Sequence, residues 1–314
     1  MKNRVTVSVR EVGPRDGLQM IKEIMPTDAK MRWIGAMAKA GIRNMEVGSF
    51  VPAGILPQMA DSGTVVRRVR DSHPQVYTTV LAPNLRGAQD AVTAGAQSII
   101  VPVSASEAHS RANVRRSREE QVLQFGRMAE WIHSLGSRAP RIEAAVSTAF
   151  GCSMQGRIPE GDVIRMADQL ARAGADIVSL ADTLGYATPS QVRRLVRAVR
   201  MEIGGDKFGA LHLHDTLGAA LANVAAGLEE EVRAFDGALG GLGGCPFAPG
   251  SVGNVATEDL VYLLESEGYD TGIDLRGLLE ARAVLREAIP NERLHGRVAA
   301  AGVPVTFQYA AEGV

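Results

Sequence analysis

The sequence has few aromatic residues and few cysteines, and neither sign of charge dominates it. Aromatic residues make up 4 % of the 314 residues, so aliphatic side chains must build the core. Two cysteines, Cys152 and Cys245, cannot form a framework of disulfides, which fits a reducing compartment or a reactive thiol. A net charge of −1 without a basic block argues against a nucleic-acid surface or an anionic-membrane anchor. We therefore expect neither nucleic acid nor membrane as a partner.

Long hydrophobic runs are also missing. No stretch of about 20 apolar residues occurs, which is the length that a membrane-spanning helix needs. The chain passes from its first four residues directly into the alternating pattern of Val5 to Val9. We expect no transmembrane span and no signal or transit peptide, and hence a cytoplasmic protein.

The sequence does contain a regular alternation of short β-branched runs and helix-like stretches. The eight predicted strands are 5–11, 42–47, 76–81, 98–103, 142–147, 176–181, 209–214 and 232–238. The predicted helices between them are 27–40, 84–94, 117–135, 159–173, 189–199 and 216–230. Four of these helices are followed by a glycine where a left-handed cap is expected: Gly41, Gly95, Gly136 and Gly174. Eight strand–helix units with parallel strands predict an α/β fold, a (β/α)8 TIM barrel, rather than an open doubly wound sheet.

About 75 residues follow the eighth predicted strand. We assign 1–238 to the barrel and 239–314 to a lid loop and a helical extension, with helices near 257–267 and 275–288. No linker-like segment separates the two parts, so we expect the extension to pack on the barrel within a single domain. Packed extension helices also favour a homodimer.

The active site of such a barrel lies at the C-terminal ends of its strands. His212 and His214 are two residues apart on strand seven, so both imidazoles point into the barrel. Two inward histidines are costly to bury alone, and a divalent metal completed by a carboxylate and an amide oxygen would satisfy them. Asp16 faces them from strand one, beside Arg15, which could neutralise charge on a substrate oxygen. The alternatives are a hydrogen-bonded histidine pair in an ordinary core and an Arg-Asp surface turn.

The two cysteines receive different interpretations. Cys245 follows four glycines within five residues and precedes Pro246, so it could lie on a moving lid and transfer a proton. The alternative for Cys245 is a small hydrophobic residue beneath a loop. Cys152 follows strand five and is interpreted as structural. The remaining isolated histidines are interpreted as surface residues: His73, His109, His133 and His295.

Three motifs stand at the predicted strand ends. They are EVGPRDGLQ at 11–19, HLHDT at 212–216, and GGLGGCPFAPG at 240–250 followed by GNVATED at 253–259. Together they resemble the 3-hydroxy-3-methylglutaryl-CoA lyases over about 5–279. The wider superfamily of metal-dependent synthases and carboxyltransferases shares the Arg-Asp and His-x-His pieces but lacks the glycine-rich cysteine loop. The resemblance implies a metal-dependent carbon–carbon lyase that cleaves a tertiary 3-hydroxyacyl-CoA, yielding acetyl-CoA and, from the methylglutaryl thioester, acetoacetate.

The resemblance also implies a set of metal ligands, which are Asp16, His212, His214 and Asn254. Mg or Mn is the expected ion, with Zn or Co as alternatives.

Catalytic and pocket residues follow from the same resemblance. Arg15 would stabilise the enolate of acetyl-CoA, Cys245 would supply a proton, and Glu46 would support the site as an acid. The base would be Asp16 or a histidine ligand. Four further positions would line the substrate pocket: Gln19, Ser49, Asp182 and Thr183.

The sequence departs from the family pattern in two places. Met20 and Ile21 stand where members usually have Asn-Glu, and Ala145 stands where they usually have a tyrosine. A pocket without those polar groups loses discrimination, so we predict relaxed selectivity or a preference for another tertiary 3-hydroxyacyl-CoA. The alternatives are an (R)-citramalyl-CoA lyase that yields pyruvate, a Claisen-condensing synthase of the isopropylmalate or homocitrate type, and a non-catalytic acyl-CoA-binding barrel.

Overall fold

A computed structural model describes residues 5–244 and 253–311 as a closed barrel of eight strands in chain order. The strands are β1 (Ser8–Glu11), β2 (Asn44–Ser49), β3 (Tyr77–Leu81), β4 (Ser98–Ser104), β5 (Arg141–Ser147), β6 (Ile177–Asp182), β7 (Phe208–Leu213) and β8 (Ala234–Gly237). Every neighbouring pair is parallel, and β1 closes the barrel by pairing in parallel with β8. The predicted (β/α)8 TIM barrel is confirmed.

Helices follow each strand and cover the outside of the barrel. They are α1 (Thr27–Lys39), α2 (Ser62–Ser72), α3 (Leu85–Ala94), α4 (Glu107–Val114), α5 (Arg118–His133), α6 (Glu160–Arg172), α7 (Pro189–Ile203), α8 (Ala220–Glu229), α9 (Thr257–Ser266), α10 (Leu275–Ala288) and α11 (Arg297–Ala301). The sequence predicts neither α2 nor α4. In α2, Val65, Val66 and Val69 are β-branched, yet their helical spacing buries all three against the barrel.

Glycine caps fix how the last part of the chain meets the first. Gly41, Gly95, Gly136 and Gly174 all have positive φ, as expected for left-handed caps. A Cβ atom on Gly41 would lie 2.4 Å from the Gly272 carbonyl oxygen, so only glycine permits this approach. Beside it, the Asp274 amide donates to the Ala40 carbonyl at 2.8 Å. The start of α10 is therefore held against the end of α1.

The two faces of the strands differ in chemistry. Outward residues such as Ile142, Ala144 and Val146 are fully buried under helices. The inward face carries charge near its centre, because Arg10, Glu143 and Asp236 are 7 %, 6 % and 3 % exposed. Branched aliphatic residues usually fill such barrels, so this interior is unusually polar.

A single π-helical turn, Gly13–Gly17, follows β1 and shapes the mouth of the barrel. The Gly13 amide and the Leu239 amide both donate to Glu11 Oε1, at 2.8 and 3.0 Å. This ties the turn to the chain that leaves β8. The turn buries Arg15 and Asp16 at the C-terminal end of the barrel, and single π-turns often occur at functional sites.

The interpretation of His109 as a surface residue is wrong. Its ring is 7 % exposed, and its Nδ1 lies 3.0 Å from Ser104 Oγ. The reason is α4, which Ser106 caps and which turns this side chain back onto β4. Of the other three isolated histidines, His133 is exposed and His73 and His295 are half-buried.

Cys152 lies in the hydrophobic core, in agreement with its structural interpretation. Within 5–244 and 253–311, no helix is both long and apolar enough to cross a membrane.

Candidate active site

Asp16, His212 and His214 meet at the mouth of the barrel. The two histidine Nε2 atoms lie 3.2 Å apart, and they are 3.6 and 3.7 Å from Asp16 Oδ2. Ligand atoms that bind one divalent cation at about 2.1 Å stand roughly 3–4 Å from one another. These three side chains therefore present donor atoms at a spacing that one divalent cation can bridge.

Asn254 reaches the same point through an isolated bridge between its backbone and that of His214. Its Nδ2 donates to Asp16 Oδ2 at 2.6 Å. Its Oδ1 is buried and accepts no hydrogen bond from any residue that the structure describes. An unpartnered buried amide oxygen costs free energy, and a cation beside Asp16 would satisfy it. The four residues thus fit a mixed nitrogen and oxygen metal site.

Asp236 supports His212 from below. The Nδ1 of His212 lies 3.0 Å from Asp236 Oδ2, and a proton on Nδ1 leaves the Nε2 lone pair directed toward Asp16 and His214. A carboxylate behind a histidine is the usual arrangement for a metal-binding imidazole. Burial lowers the pKa of His212, but the hydrogen bond to Asp236 and the charges of Asp16 and Asp236 outweigh burial and raise it. The surroundings of His212 therefore favour positive charge on its ring.

Arg15 lies between two carboxylates, and we call Arg15, Asp16 and Glu46 the mouth triad. Arg15 donates one NH1 hydrogen bond to Asp16 Oδ1 and one NH2 hydrogen bond to Glu46 Oε2, both at 2.6 Å. Burial raises the pKa of Asp16, but Arg15 and the two histidines hold it well below its usual range. Burial raises the pKa of Glu46 despite Arg15. Gln19 donates to Asp16 Oδ1 at 3.1 Å, and its contact with substrate stays a prediction.

Two atoms of the mouth triad are unsatisfied. Arg15 Nε and Glu46 Oε1 are buried and make no hydrogen bond to the described residues. Buried polar atoms are nearly always paired, so such atoms at a barrel mouth indicate a place for a ligand.

The other predicted pocket residues already accept hydrogen bonds from backbone amides. Asp182 accepts the Tyr186 and Ala187 amides, both at 2.9 Å, and burial raises its pKa. The Thr183 hydroxyl accepts the Thr148 amide at 2.8 Å.

Ser49 is buried, and its amide donates to Ser62 Oγ at 2.9 Å. Substrate contacts by Ser49, Asp182 and Thr183 stay predictions. Cys245 lies outside the described residues.

Three buried charged residues that the sequence does not predict for the site lie next to it: Arg10, Glu143 and Asp236, which we call the central triad. Arg10 bonds both carboxylates and lies beneath the metal site. A charged residue at an inward position of an otherwise apolar strand is the signal that would have identified each of them.

The wall opposite the metal ligands is small and apolar. Leu81, Pro102 and Ala145 are half-buried, whereas their neighbours Val80, Val103 and Val146 are almost completely buried. Ala145 is on the same strand face as Glu143, which points inward to Arg10. Ala145 therefore points into the barrel.

Comparisons with known proteins agree with this geometry. The model of the HMGL-like family matches residues 6–285. The cytoplasmic 3-hydroxy-3-methylglutaryl-CoA lyase of Mus musculus is 42 % identical over 295 residues, which cover 94 % of this chain and 84 % of that protein. The mitochondrial hydroxymethylglutaryl-CoA lyase of Bos taurus is 39 % identical, with coverages of 94 % and 89 %.

Solved structures give the same result. An HMG-CoA lyase from Acinetobacter baumannii, in complex with coenzyme A and 3-methylmalate, has a TM-score of 0.89 at 36 % identity and covers 96 % of this chain and 97 % of its own. The hydroxymethylglutaryl-CoA lyase from Pseudomonas aeruginosa has a TM-score of 0.89 at 37 % identity, with coverages of 96 % and 98 %. The chain therefore belongs to the HMGL-like family and is a carbon–carbon lyase of the hydroxymethylglutaryl-CoA lyase type.

Proposed function

We propose that the protein is a divalent-metal-dependent lyase that cleaves 3-hydroxy-3-methylglutaryl-CoA to acetyl-CoA and acetoacetate. The observation that carries this proposal is the meeting of Asp16, His212, His214 and the unpartnered Asn254 oxygen beside Arg15 at the barrel mouth. These four residues would hold the cation. When bound, a divalent cation lowers the pKa of a coordinated hydroxyl group and polarises a neighbouring oxygen. The carboxylate and amide oxygens favour Mg or Mn, with Zn or Co as alternatives.

The residues of this chain would then transfer the protons and stabilise the negative charge that develops on the substrate. Asp16 or a histidine ligand accepts the proton of the tertiary hydroxyl, and the oxygen electrons form the new ketone as the C2–C3 bond breaks. The electron pair of that bond passes to the acetyl-CoA fragment as an enolate. Arg15 neutralises the enolate oxygen, because its buried guanidinium lies at the mouth with Nε unpaired among the described residues. Glu46 holds Arg15 in place.

Cys245 is the proposed acid that delivers a proton to the enolate carbon. Cys245→Ser should lose orders of magnitude in turnover and keep acyl-CoA binding, because serine is a far weaker acid than a thiol. The buried Cys152 offers the matched control: Cys152→Ser should affect stability and leave the turnover of the folded enzyme close to that of the wild type. Normal turnover in Cys245→Ser would give the thiol a packing role.

The decisive experiment measures acetyl-CoA release by the purified protein, with and without a chelator. We expect release from 3-hydroxy-3-methylglutaryl-CoA, its loss on chelation, and recovery with Mg²⁺ or Mn²⁺, with Zn²⁺ and Co²⁺ as parallel arms. Tight acyl-CoA binding without cleavage would instead indicate a binding protein. Condensation of acetyl-CoA with a 2-oxo acid would indicate a synthase.

We also propose that selectivity for the acyl group is relaxed. The support is the stretch of wall formed by Leu81, Pro102 and Ala145, whose side chains offer no hydrogen bond to a substrate oxygen. The next inward side chain on β5 is Ser147. The test compares kcat/KM for the methylglutaryl and (R)-citramalyl thioesters in the wild type and in Ala145→Tyr. We expect similar values in the wild type and discrimination in the variant. Ala283→Tyr, on the exposed face of α10, is the control. Strong wild-type preference for the methylglutaryl compound, unchanged in Ala145→Tyr, would contradict the proposal.

A cytoplasmic homodimer is the proposed cellular form. The support is the chain's near-neutral charge, its packed extension helices and a relative that is named as cytoplasmic. Sedimentation velocity at micromolar concentration tests the dimer, and cell fractionation tests the compartment.

A further inference from the structure

The central triad connects β1 to its neighbour β8 and, across the inside of the barrel, to β5. Arg10 donates from Nε and NH2 to the two oxygens of Asp236, at 2.8 and 2.9 Å. It also donates from NH1 and NH2 to the two oxygens of Glu143, at 2.7 and 3.2 Å. All three side chains are buried. One guanidinium therefore holds two carboxylates in fixed planes.

Asp236 is the link between Arg10 and the metal site. Its Oδ2 faces both Arg10 NH2 and His212 Nδ1, the latter at 3.0 Å. A carboxylate held through both oxygens by a planar fork cannot rotate freely. The direction of Asp236 Oδ2, and with it the direction of the His212 ring, therefore depends on Arg10.

The other carboxylate returns the network to the strand that carries the histidines. Glu143 accepts a hydrogen bond from the Ser179 hydroxyl. The Ser179 hydroxyl in turn accepts the Ala210 amide at 2.9 Å, two residues before His212 on β7. The network thus contacts β7 twice, at the His212 side chain and at the Ala210 backbone.

We propose that Arg10 is a positioning residue of the metal site, which sets the affinity for a divalent cation by orienting Asp236 and, through it, His212. The inference rests on the metal site of the proposed function. Loss of a group that orients a metal ligand typically weakens metal binding by about 10–100-fold. Arg10 contacts Asp236 and not the metal ligand His212 itself, so we expect the lower part of that range, about tenfold.

The experiment titrates Mn²⁺ into chelator-treated protein by calorimetry and compares the wild type with Arg10→Met. We expect a dissociation constant about tenfold higher in the variant. Because Arg10→Met leaves two buried carboxylates without a cation, Arg10→Met/Glu143→Gln provides a variant with less uncompensated charge and the same loss of the fork on Asp236. It should show the same weakening. Arg172→Met, which breaks an exposed pair with Asp168, is the control and should bind as the wild type does.

Two further variants separate orientation from charge. Arg10→Lys keeps the charge but lacks the planar fork, so it should weaken Mn²⁺ binding nearly as much as Arg10→Met. Wild-type affinity in Arg10→Lys would overturn the role of the fork. In Asp236→Asn, a second change of Arg10 to Met should weaken binding by less than it does alone, because both act through one contact.

A purely structural role predicts a different result. A lower melting temperature of the metal-free Arg10→Met protein with unchanged Mn²⁺ affinity would overturn the proposal. If the wild type itself binds no Mn²⁺, the proposed metal site fails first. If the wild type binds and the variant binds equally well, only the inference about Arg10 fails.

Discussion

The mouth triad and the central triad contain the same groups, an arginine between two carboxylates, but they differ in how fully those groups are used. In the central triad, all three nitrogens of the Arg10 guanidinium and all four carboxylate oxygens have partners. In the mouth triad, Arg15 Nε and Glu46 Oε1 have none among residues 5–244 and 253–311. The central triad, whose polar atoms are all hydrogen-bonded, can position its neighbours. The mouth triad has two polar atoms that can still form hydrogen bonds with a ligand.

Asp236 of the central triad and Glu46 of the mouth triad also differ in pKa. Burial raises the pKa of Asp236, but Arg10 and His212 outweigh burial and lower it. Burial raises the pKa of Glu46 even though Arg15 is beside it. Ionisation is therefore favoured at Asp236 and costly at Glu46. The number of hydrogen-bond and ion-pair partners, and not the type of residue, therefore distinguishes Asp236 from Glu46.

The largest effect is expected at the histidine pair, because His212 lies beside both Asp16 of the mouth triad and Asp236 of the central triad. His214→Ala removes one of the three clustered donors, so Mn²⁺ affinity should fall by more than the roughly 100-fold that marks loss of a supporting group. Activity should fall with it. Metal content by mass spectrometry and acetyl-CoA release are the measurements, and His133→Ala, at an exposed histidine, is the control. Full metal content in a folded His214→Ala protein would remove His214 from the ligands.

The next largest effect is expected from a substitution that disrupts only the mouth triad. Arg15→Gln should lower kcat by about 10²–10³-fold, because charge on the enolate oxygen loses its compensating cation. Steady-state kinetics at saturating metal measure this change, and the exposed Arg172→Gln is the matched control. A kcat within a factor of three of the wild type would show that Arg15 contributes to structure only.

A third prediction compares one carboxylate from each triad by chemical denaturation of the metal-free protein. Glu143→Gln should reduce the free energy of unfolding by about 3 kcal/mol, because it breaks a fully formed buried ion pair. Glu46→Gln should cost only about 1 kcal/mol, because burial already disfavours its charge and one oxygen is unpaired among the described residues. Equal losses would contradict the distinction drawn between the triads.

The smallest effect concerns Glu11, a buried carboxylate held by the Gly13 and Leu239 amides and the Thr257 hydroxyl instead of an arginine. Burial raises its pKa to about 7. Its stabilising contribution is therefore complete below the unfolded pKa of about 4.5 and is lost as pH rises to about 7. The slope reaches at most about 1.4 kcal/mol per pH unit. Glu11→Gln should reduce the pH dependence of the free energy of unfolding between pH 5 and pH 8, while Glu258, whose pKa burial also raises to about 7, keeps the remainder. An unchanged pH dependence would contradict the expected pKa of Glu11.

Much of the fold is predictable from local patterns. All eight strands overlap the predicted runs, although β7 and β8 contain no β-branched residue. Caps such as Gly95 follow from the left-handed backbone that only glycine adopts easily. The α2 helix is not predictable in this way, because Val65, Val66 and Val69 favour a strand on propensity and become helical only where the barrel buries them.

The candidate site is predictable where spacing along one strand decides it. His212 and His214 share a face because side chains alternate on β7. The central triad is different, since Arg10 meets Asp236 across 226 residues and Glu143 across 133. Only closure of the barrel brings these residues together. His109 was misinterpreted for a related reason, because its burial depends on how α4 turns over β4.

Closure of the barrel has a consequence for biosynthesis. Asp16 and Asn254 are 238 residues apart, so a nascent chain lacks a complete cation site until almost all of it has left the ribosome. Arg10 and Asp236 can join the first strand to the last before then, by a contact that requires no metal. The contact that closes the barrel is therefore encoded before Asn254, the last of the proposed metal ligands.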